Sequence, residues 1–224
     1  MTQRQTAGLQ ADLSRLWYKL SGGRRRDQAV AKRLFKDLLS RLGSQDTVVD
    51  LGANVGEFTV AMAQTGARVF AFEPDPHART VLETAVQGLA NVTVMPVAVG
   101  ARAGQAQLYR RVNFAREPNR ASKSSSLFAE KRNVSTADAI PVEIIDFAAF
   151  LNQLDCDIAL IKMDIEGAEV PLLESLLNRP IAARIGHIFV ETHERALPQL
   201  ASRTQALKDK VARLVKPQVN WDWH

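Results

Sequence analysis

The sequence predicts an α/β fold in which a mostly parallel sheet is flanked by helices, with further helices at the N-terminus. Three observations carry this. From Thr47 onward, short apolar runs alternate with helix-patterned segments. Runs such as Val48-Val49 and Val69-Phe70-Ala71-Phe72 are apolar on both faces, as strands covered by helices on each side are. Asp50, Glu73, Asp164, Glu191 and His193 fall at the ends of the predicted strands, where open parallel sheets bind ligands.

Each element has its own signal. Leu9, Leu13, Leu16, Trp17 and Leu20 lie at helical spacing, and Ser21-Gly22-Gly23 interrupts the pattern. Val30, Leu34, Leu38 and Leu42 repeat every four residues and predict a second helix that ends near Gly43. Residues 1–45 therefore read as a helical extension, and residues 46–224 as the main domain. Strands are predicted over 48–51, 68–73 and 92–99, with helices over 56–64 and 77–88 between them. The alternation lapses over 100–140. A hairpin around Ala103-Gly104, a basic stretch and Ser124-Ser125-Ser126 read there as an insertion or lid. A strand over 141–145 follows, then a helix capped by Asp146 that runs to Leu154. The remaining pattern is a strand over 158–163, a helix over 168–177, a strand over 185–192, a helix over 198–214 and an edge strand over 218–223.

The chain has 224 residues, 46% of them hydrophobic and 24% charged, which is enough for one substantial core and excludes disorder over most of the length. No apolar run is long enough to cross a bilayer, and the N-terminus lacks the apolar core of a signal peptide, so a cytoplasmic protein is expected. Cys156 is the one cysteine, which excludes disulfides within the chain and Cys-based zinc sites. Residues 1–45 carry ten Lys/Arg against three Asp/Glu, and residues 101–132 carry eight against two. Arg110, Arg111, Arg116, Arg120 and Lys123 could thus form a basic rim that attracts an anionic substrate.

Three motifs carry chemistry. The first is Asp50-Leu51-Gly52-Ala53-Asn54-Val55-Gly56-Glu57, which follows a strand and opens a helix. Glu73, 21 residues beyond Gly52 and followed by Pro74, suits an acid that accepts hydrogen bonds from both ribose hydroxyls. A dinucleotide site would want glycine where Asn54 and Glu57 stand, and Glu57 would compete with a pyrophosphate for the positive helix end. S-adenosylmethionine has no phosphate and carries a cation, so Asp50, Glu57, Glu73 and Asp164 suit it better. The second motif is Lys162-Met163-Asp164-Ile165-Glu166-Gly167-Ala168-Glu169. Strand alternation puts Lys162 and Asp164 on one face, with the acids at 166 and 169 in the first turn of a helix. The third is Glu191-Thr192-His193. Asp164 is expected to orient an acceptor and His193 to take its proton, with Lys162 holding Asp164 and Glu191 holding His193. A divalent metal held by Asp164, Glu191 and His193 is the alternative.

These motifs, together with Ser125-Ser126-Leu127 and Ile145-Asp146, resemble the FkbM family of class I methyltransferases from about Thr47 to the end. The resemblance implies a Rossmann-like class I methyltransferase fold. It also implies O-methylation from S-adenosylmethionine, Glu73 on the ribose, and a small-molecule, sugar or glycoconjugate acceptor. An RNA ribose methyltransferase, a nicotinamide-dependent oxidoreductase and a non-catalytic S-adenosylmethionine-binding regulator are the rivals. Nucleic acid is disfavoured because no aromatics interleave with the basic residues. Amino-directed base methylation is disfavoured because Asp164-Ile165-Glu166-Gly167 replaces the Asn/Asp-Pro-Pro-aromatic grip.

Overall fold

The computed structural model describes residues 23–223; the predicted helix over 9–20 lies outside them. Helix α1 (Gly23–Leu39) leads into β1 (Thr47–Leu51), α2 (Glu57–Ala63), β2 (Arg68–Phe72), α3 (Pro76–Ala85) and β3 (Val92–Met95). After the second sheet come α5 (Phe147–Gln153), β7 (Ile158–Met163), α6 (Glu169–Leu176), β8 (Ile185–Val190), α7 (Ala201–Val211) and β9 (Gln218–Asn220). The main sheet runs β3-β2-β1-β7-β8-β9, with every pairing parallel. This is the mostly parallel, helix-flanked Rossmann-like arrangement. The strand order reverses between β1 and β7, and such a reversal opens a crevice at the strand ends.

Apolar residues on the two faces of the sheet build two cores. On one face Val49, Ile161, Ile188 and Leu51 pack against Phe147 and Leu151 of α5 and Leu173 of α6. On the other, Val48, Leu160 and Phe189 meet Phe35 of α1, Met62 and Trp223. The Phe35 ring stands edge-on to Phe189 and Phe58 at 5.1 and 5.8 Å, so α1 is seated on the sheet rather than tethered beside it.

Over residues 92–146 the structure departs from the predicted elements. The strand expected over 92–99 is two strands in different sheets: β3, and then β4 (Ala98–Gly100). Pro96 between them has no N–H to donate and ends the first ladder. Nor is there a hairpin at Ala103-Gly104. Strand β4 and β5 (Gly104–Arg111) instead flank β6 (Val134–Asp146), parallel and antiparallel respectively, in a second sheet ordered β4-β6-β5, and the one-turn helix α4 (Pro118–Ala121) lies in the connection from β5 to β6. The strand expected over 141–145 is the last part of β6, whose earlier residues alternate too weakly to stand out. The strand expected to reach residue 192 stops at Val190, leaving Glu191 and His193 on a loop. Helix α5 starts where the sequence placed it: Asp146 accepts a hydrogen bond from Ala149 N–H at 3.0 Å.

Candidate functional site

A cleft of about 910 Å³, including its open mouth, lies over the C-terminal ends of β1 and β7. Gly52, Asn54, Glu57, Glu73, Pro74, Lys162 and Asp164 line it; Asp50, Gly56, Glu191 and His193 do not. Gly52 has φ +75°, and a Cβ there would stand 1.9 Å from the Asp164 carbonyl oxygen. Only glycine lets the first turn of the loop press against the end of β7. Gly56 does its work on the far side, against Leu82 of α3.

The glycine loop is tied to Glu73. Asn54, itself at φ +49°, donates its backbone N–H to Glu73 Oε2 at 2.8 Å, and Asp75 N–H donates to Oε1 at 2.8 Å. Each carboxylate oxygen keeps a second lone-pair direction for a ligand hydroxyl. Burial pushes the carboxyl up to about 7, while the two backbone N–H groups and Lys162 pull the other way. Glu57 is mostly exposed and lies 3.9 Å from Lys123.

Asp50 has a structural task. The parallel register sets Asp50 beside Lys162, and Lys162 Nζ lies 3.3 Å from Asp50 Oδ1 against 4.0 Å from Asp164 Oδ2. Asp50 Oδ2 accepts from Thr59 Oγ1 at 2.7 Å, and Asp50 is fully buried. It is therefore withdrawn from the cleft wall where the sequence had placed it. Lys162 also donates to Gly52 O at 2.8 Å. Its charge thus serves Asp50 and the loop first, and Asp164 second. Burial works against its cationic form, but Asp50 and Asp164 raise its pKa above the ordinary lysine value.

The turn after β7 holds the densest charge. Asp164 sits on the cleft with its Oδ1 buried and making no hydrogen bond. Burial pushes its carboxyl up to about 7; Glu166 and Glu191 add to the rise, and Lys162 and His193 oppose it. Glu166 has φ +58°, a left-handed conformation that costs a non-glycine residue about 1–2 kcal/mol. Glu169, completely buried, closes this turn by accepting from Ile165 and Gly167 N–H, both at 2.8 Å. The ring nitrogens of His193 face these two acids: Nε2 is 2.9 Å from Glu166 Oε2, and Nδ1 is 3.1 Å from Glu169 Oε1. Glu166 and Glu169 thus take the place the sequence gave to Glu191, which acts on His193 through its charge. Burial would lower the His193 pKa, but the two carboxylates outweigh it and push it up to about 11. An imidazole held as a cation has no lone pair for a proton, so the two carboxylates work against the role of base expected for His193 from its ordinary pKa.

The second sheet and its connections cover the cleft from above. Asn54 Nδ2 donates to Ser122 Oγ at 3.1 Å, and Ser126 Oγ donates to Glu166 O at 2.6 Å. Lys131, buried, donates to Ser124 O at 3.0 Å and pairs with Glu166 Oε2. The sequence reading missed Lys131 and treated Glu166 and Glu169 as ordinary first-turn acids, because their partners arrive from segments far away in the chain. Asp164, Glu166 and His193 place one ligand atom each within 4.8 Å of one another, the spacing of a metal cluster. In this cluster Glu166 Oε2 already meets two cationic nitrogens, from Lys131 and His193. The basic rim is also altered. Arg110 makes two 2.9 Å bonds to the buried Asp75 and stacks 4.1 Å over Phe114, so its charge is used internally. Arg111 and Arg116 line a separate hollow together with Asn113. Among the described residues, no helix is long and apolar enough to cross a membrane.

Comparison with known proteins supplies the family. The methyltransferase FkbM domain model matches residues 50–214. Ribosomal RNA small subunit methyltransferase A from Thermotoga petrophila is 39% identical over 66 residues, 30% of this chain and 25% of the relative, so the match spans about a quarter of that protein's length. Among solved structures, methyltransferase FkbM from Methylobacillus flagellatus KT is 21% identical, covering 60% of this chain and 30% of that one with a TM-score of 0.37. An rRNA methylase from Streptococcus thermophilus is 11% identical, covering 81% and 78% with a TM-score of 0.44. The domain match extends from the glycine loop through the acidic turn to the end of α7, and on it the chain belongs to the FkbM methyltransferase family.

Proposed function

We propose that this protein is an S-adenosylmethionine-dependent O-methyltransferase acting on a hydroxyl of a small molecule, sugar or glycoconjugate. The observation that carries this reading is Asp164, which lines the same cleft as the Glu73 carboxylate and whose Oδ1 is buried without a hydrogen bond, 3.8 Å from His193 Nε2. S-adenosylmethionine would place its ribose on Glu73, its adenine along the apolar wall of Val97, Val99 and Leu108, and its sulfonium toward the acidic turn. The cofactor supplies an activated methyl carbon. Asp164 then does two things. It fixes the acceptor oxygen in line with that carbon, and it takes the hydroxyl proton as the new C–O bond forms and the C–S bond breaks, leaving its electron pair on sulfur. A carboxyl lifted to about 7 is matched to neutral pH, whereas an ordinary aspartate near 3.9 is a weak base. Asp164 thereby takes over the proton-accepting role first given to His193. His193 and Lys131 offset the charge of Glu166, and Lys162 fixes the glycine loop.

The test is calorimetry with S-adenosylmethionine and NAD, then transfer of labelled methyl to sugar, lipid and RNA acceptors. The reading expects S-adenosylmethionine to bind and NAD not to, and it expects Asp164→Asn to abolish transfer while the cofactor still binds. Binding of NAD alone refutes it. Transfer to RNA ribose in preference to the other acceptors would replace the acceptor class.

A further inference from the structure

We infer that Ser125 contacts the methyl acceptor, and that the acceptor carries a second polar group close to the hydroxyl that is methylated. This rests on the methyltransferase reading of the cleft. Ser125 is 9% exposed and lines the cleft, and its hydroxyl is buried without a hydrogen bond among the described residues. Leaving a buried hydroxyl unbonded is costly, so the position calls for a ligand atom.

The chain on either side of Ser125 is pinned. Ser122, with which Ser125 N–H makes a 3.3 Å backbone bond, is joined to Asn54 of the glycine loop. Ser126 bonds Glu166 O and exchanges two backbone hydrogen bonds with Tyr109, at 2.8 and 2.9 Å. The backbone of Ser125 is therefore fixed between the glycine loop and the turn that carries Asp164.

Two buried oxygens in one cleft thus lack hydrogen bonds: Ser125 Oγ on the covering layer and Asp164 Oδ1 on the floor. The Glu73 end differs, since both oxygens of that carboxylate already accept backbone N–H groups. The methyl group of the cofactor satisfies neither orphan; its ammonium and carboxylate are the competing partners, and the calorimetry below separates them from the acceptor. An acceptor with one isolated hydroxyl satisfies only Asp164. A compound with two neighbouring polar groups satisfies both, and this is the chemical class the cleft selects.

The experiment uses the full chain saturated with S-adenosylhomocysteine. Saturation-transfer NMR compares trans-cyclohexane-1,2-diol with cyclohexanol on the wild type, Ser125→Ala and Ser125→Thr, and calorimetry measures S-adenosylhomocysteine on all three. The wild type should favour the diol by about five-fold, the worth of one hydrogen bond. Ser125→Ala should erase that preference with cofactor affinity unchanged, and Ser125→Thr, which keeps a hydroxyl, should retain it. Equal occupancy by diol and alcohol overturns the inference. So does a Ser125→Ala variant that weakens S-adenosylhomocysteine as strongly, because Ser125 would then serve the cofactor. Failure of the wild type to bind S-adenosylhomocysteine refutes the methyltransferase reading itself and is seen before any acceptor probe is added.

Discussion

Cofactor affinity should fall as the pH drops through 7, and Glu73 is the reason. Two ribose hydroxyls donating to Glu73 need it ionised, yet burial raises its pKa to about 7 in the free protein. Between about pH 8 and about pH 6 the ionised fraction falls from about nine-tenths to about one-tenth. The apparent affinity for S-adenosylhomocysteine should therefore weaken about ten-fold, ~1.4 kcal/mol. The sign follows from the proton balance: the ligand binds the deprotonated form, so at the lower pH binding must expel about one proton per site. Titration calorimetry in two buffers of different ionisation enthalpy measures that proton directly. Asp164 titrates in the same range, so a control is needed. Asp164→Asn should keep the pH dependence and Glu73→Gln should lose it along with much of the affinity. An affinity that is constant over this range, with no dependence on buffer, refutes the placement of the ribose on Glu73.

Other consequences concern the acidic turn and the loop. The imidazole of His193 should show two protonated nitrogens by NMR throughout the neutral range; titration near 6.5 would return it to the role of base. Because its folded pKa lies above the unfolded value, the stability it contributes is complete below about 6.5 and is lost as the pH rises toward 11, which thermal melts will trace. His193→Ala, which leaves buried carboxylates without their cation, should cost about 3–5 kcal/mol in denaturant unfolding. Gly52→Ala should lower stability by more than ~1 kcal/mol and abolish cofactor binding by calorimetry, because its Cβ would collide with the backbone of Asp164. EDTA should leave methyl transfer unchanged, since Lys131 and His193 already neutralise Glu166; loss of activity restored by a divalent ion would show that a metal displaces them.

The elements of the main sheet were legible because each leaves a local trace. Strand β7 is an apolar run, α5 has its Asp146 cap, and Gly52 and Glu73 stand at the spacing of one strand–helix–strand unit. What was not legible depends on contacts between distant segments. Nothing near Lys131 shows that it ends against Glu166, 35 positions along the chain. Glu166 and Glu169 look like acids placed to favour a helix start, which is a sufficient local reason for them. Histidine near neutral pKa is the natural base in a sequence. Only the two carboxylates facing its nitrogens favour the cation over the neutral base. Asp50 misled for the opposite reason: it stands in the right motif, but the register with Lys162 turns it inward.

The ladder between β5 and β6 also says how this architecture can change. Arg111 pairs with Val134, and Val112 N–H bonds Asn133 O at 3.2 Å, so the stretch carrying Ser122, Ser125 and Lys131 enters and leaves the second sheet at adjoining points. Its two stems are held whatever lies between them. Such a stretch is an exchangeable cassette: a replacement need only keep the stem pairing and the two docking bonds, to Asn54 and Glu166, to sit over the same cleft. New acceptor preferences could then arise by grafting between those stems, while the glycine loop and Glu73 below would keep the proposed methyl-donor site unchanged.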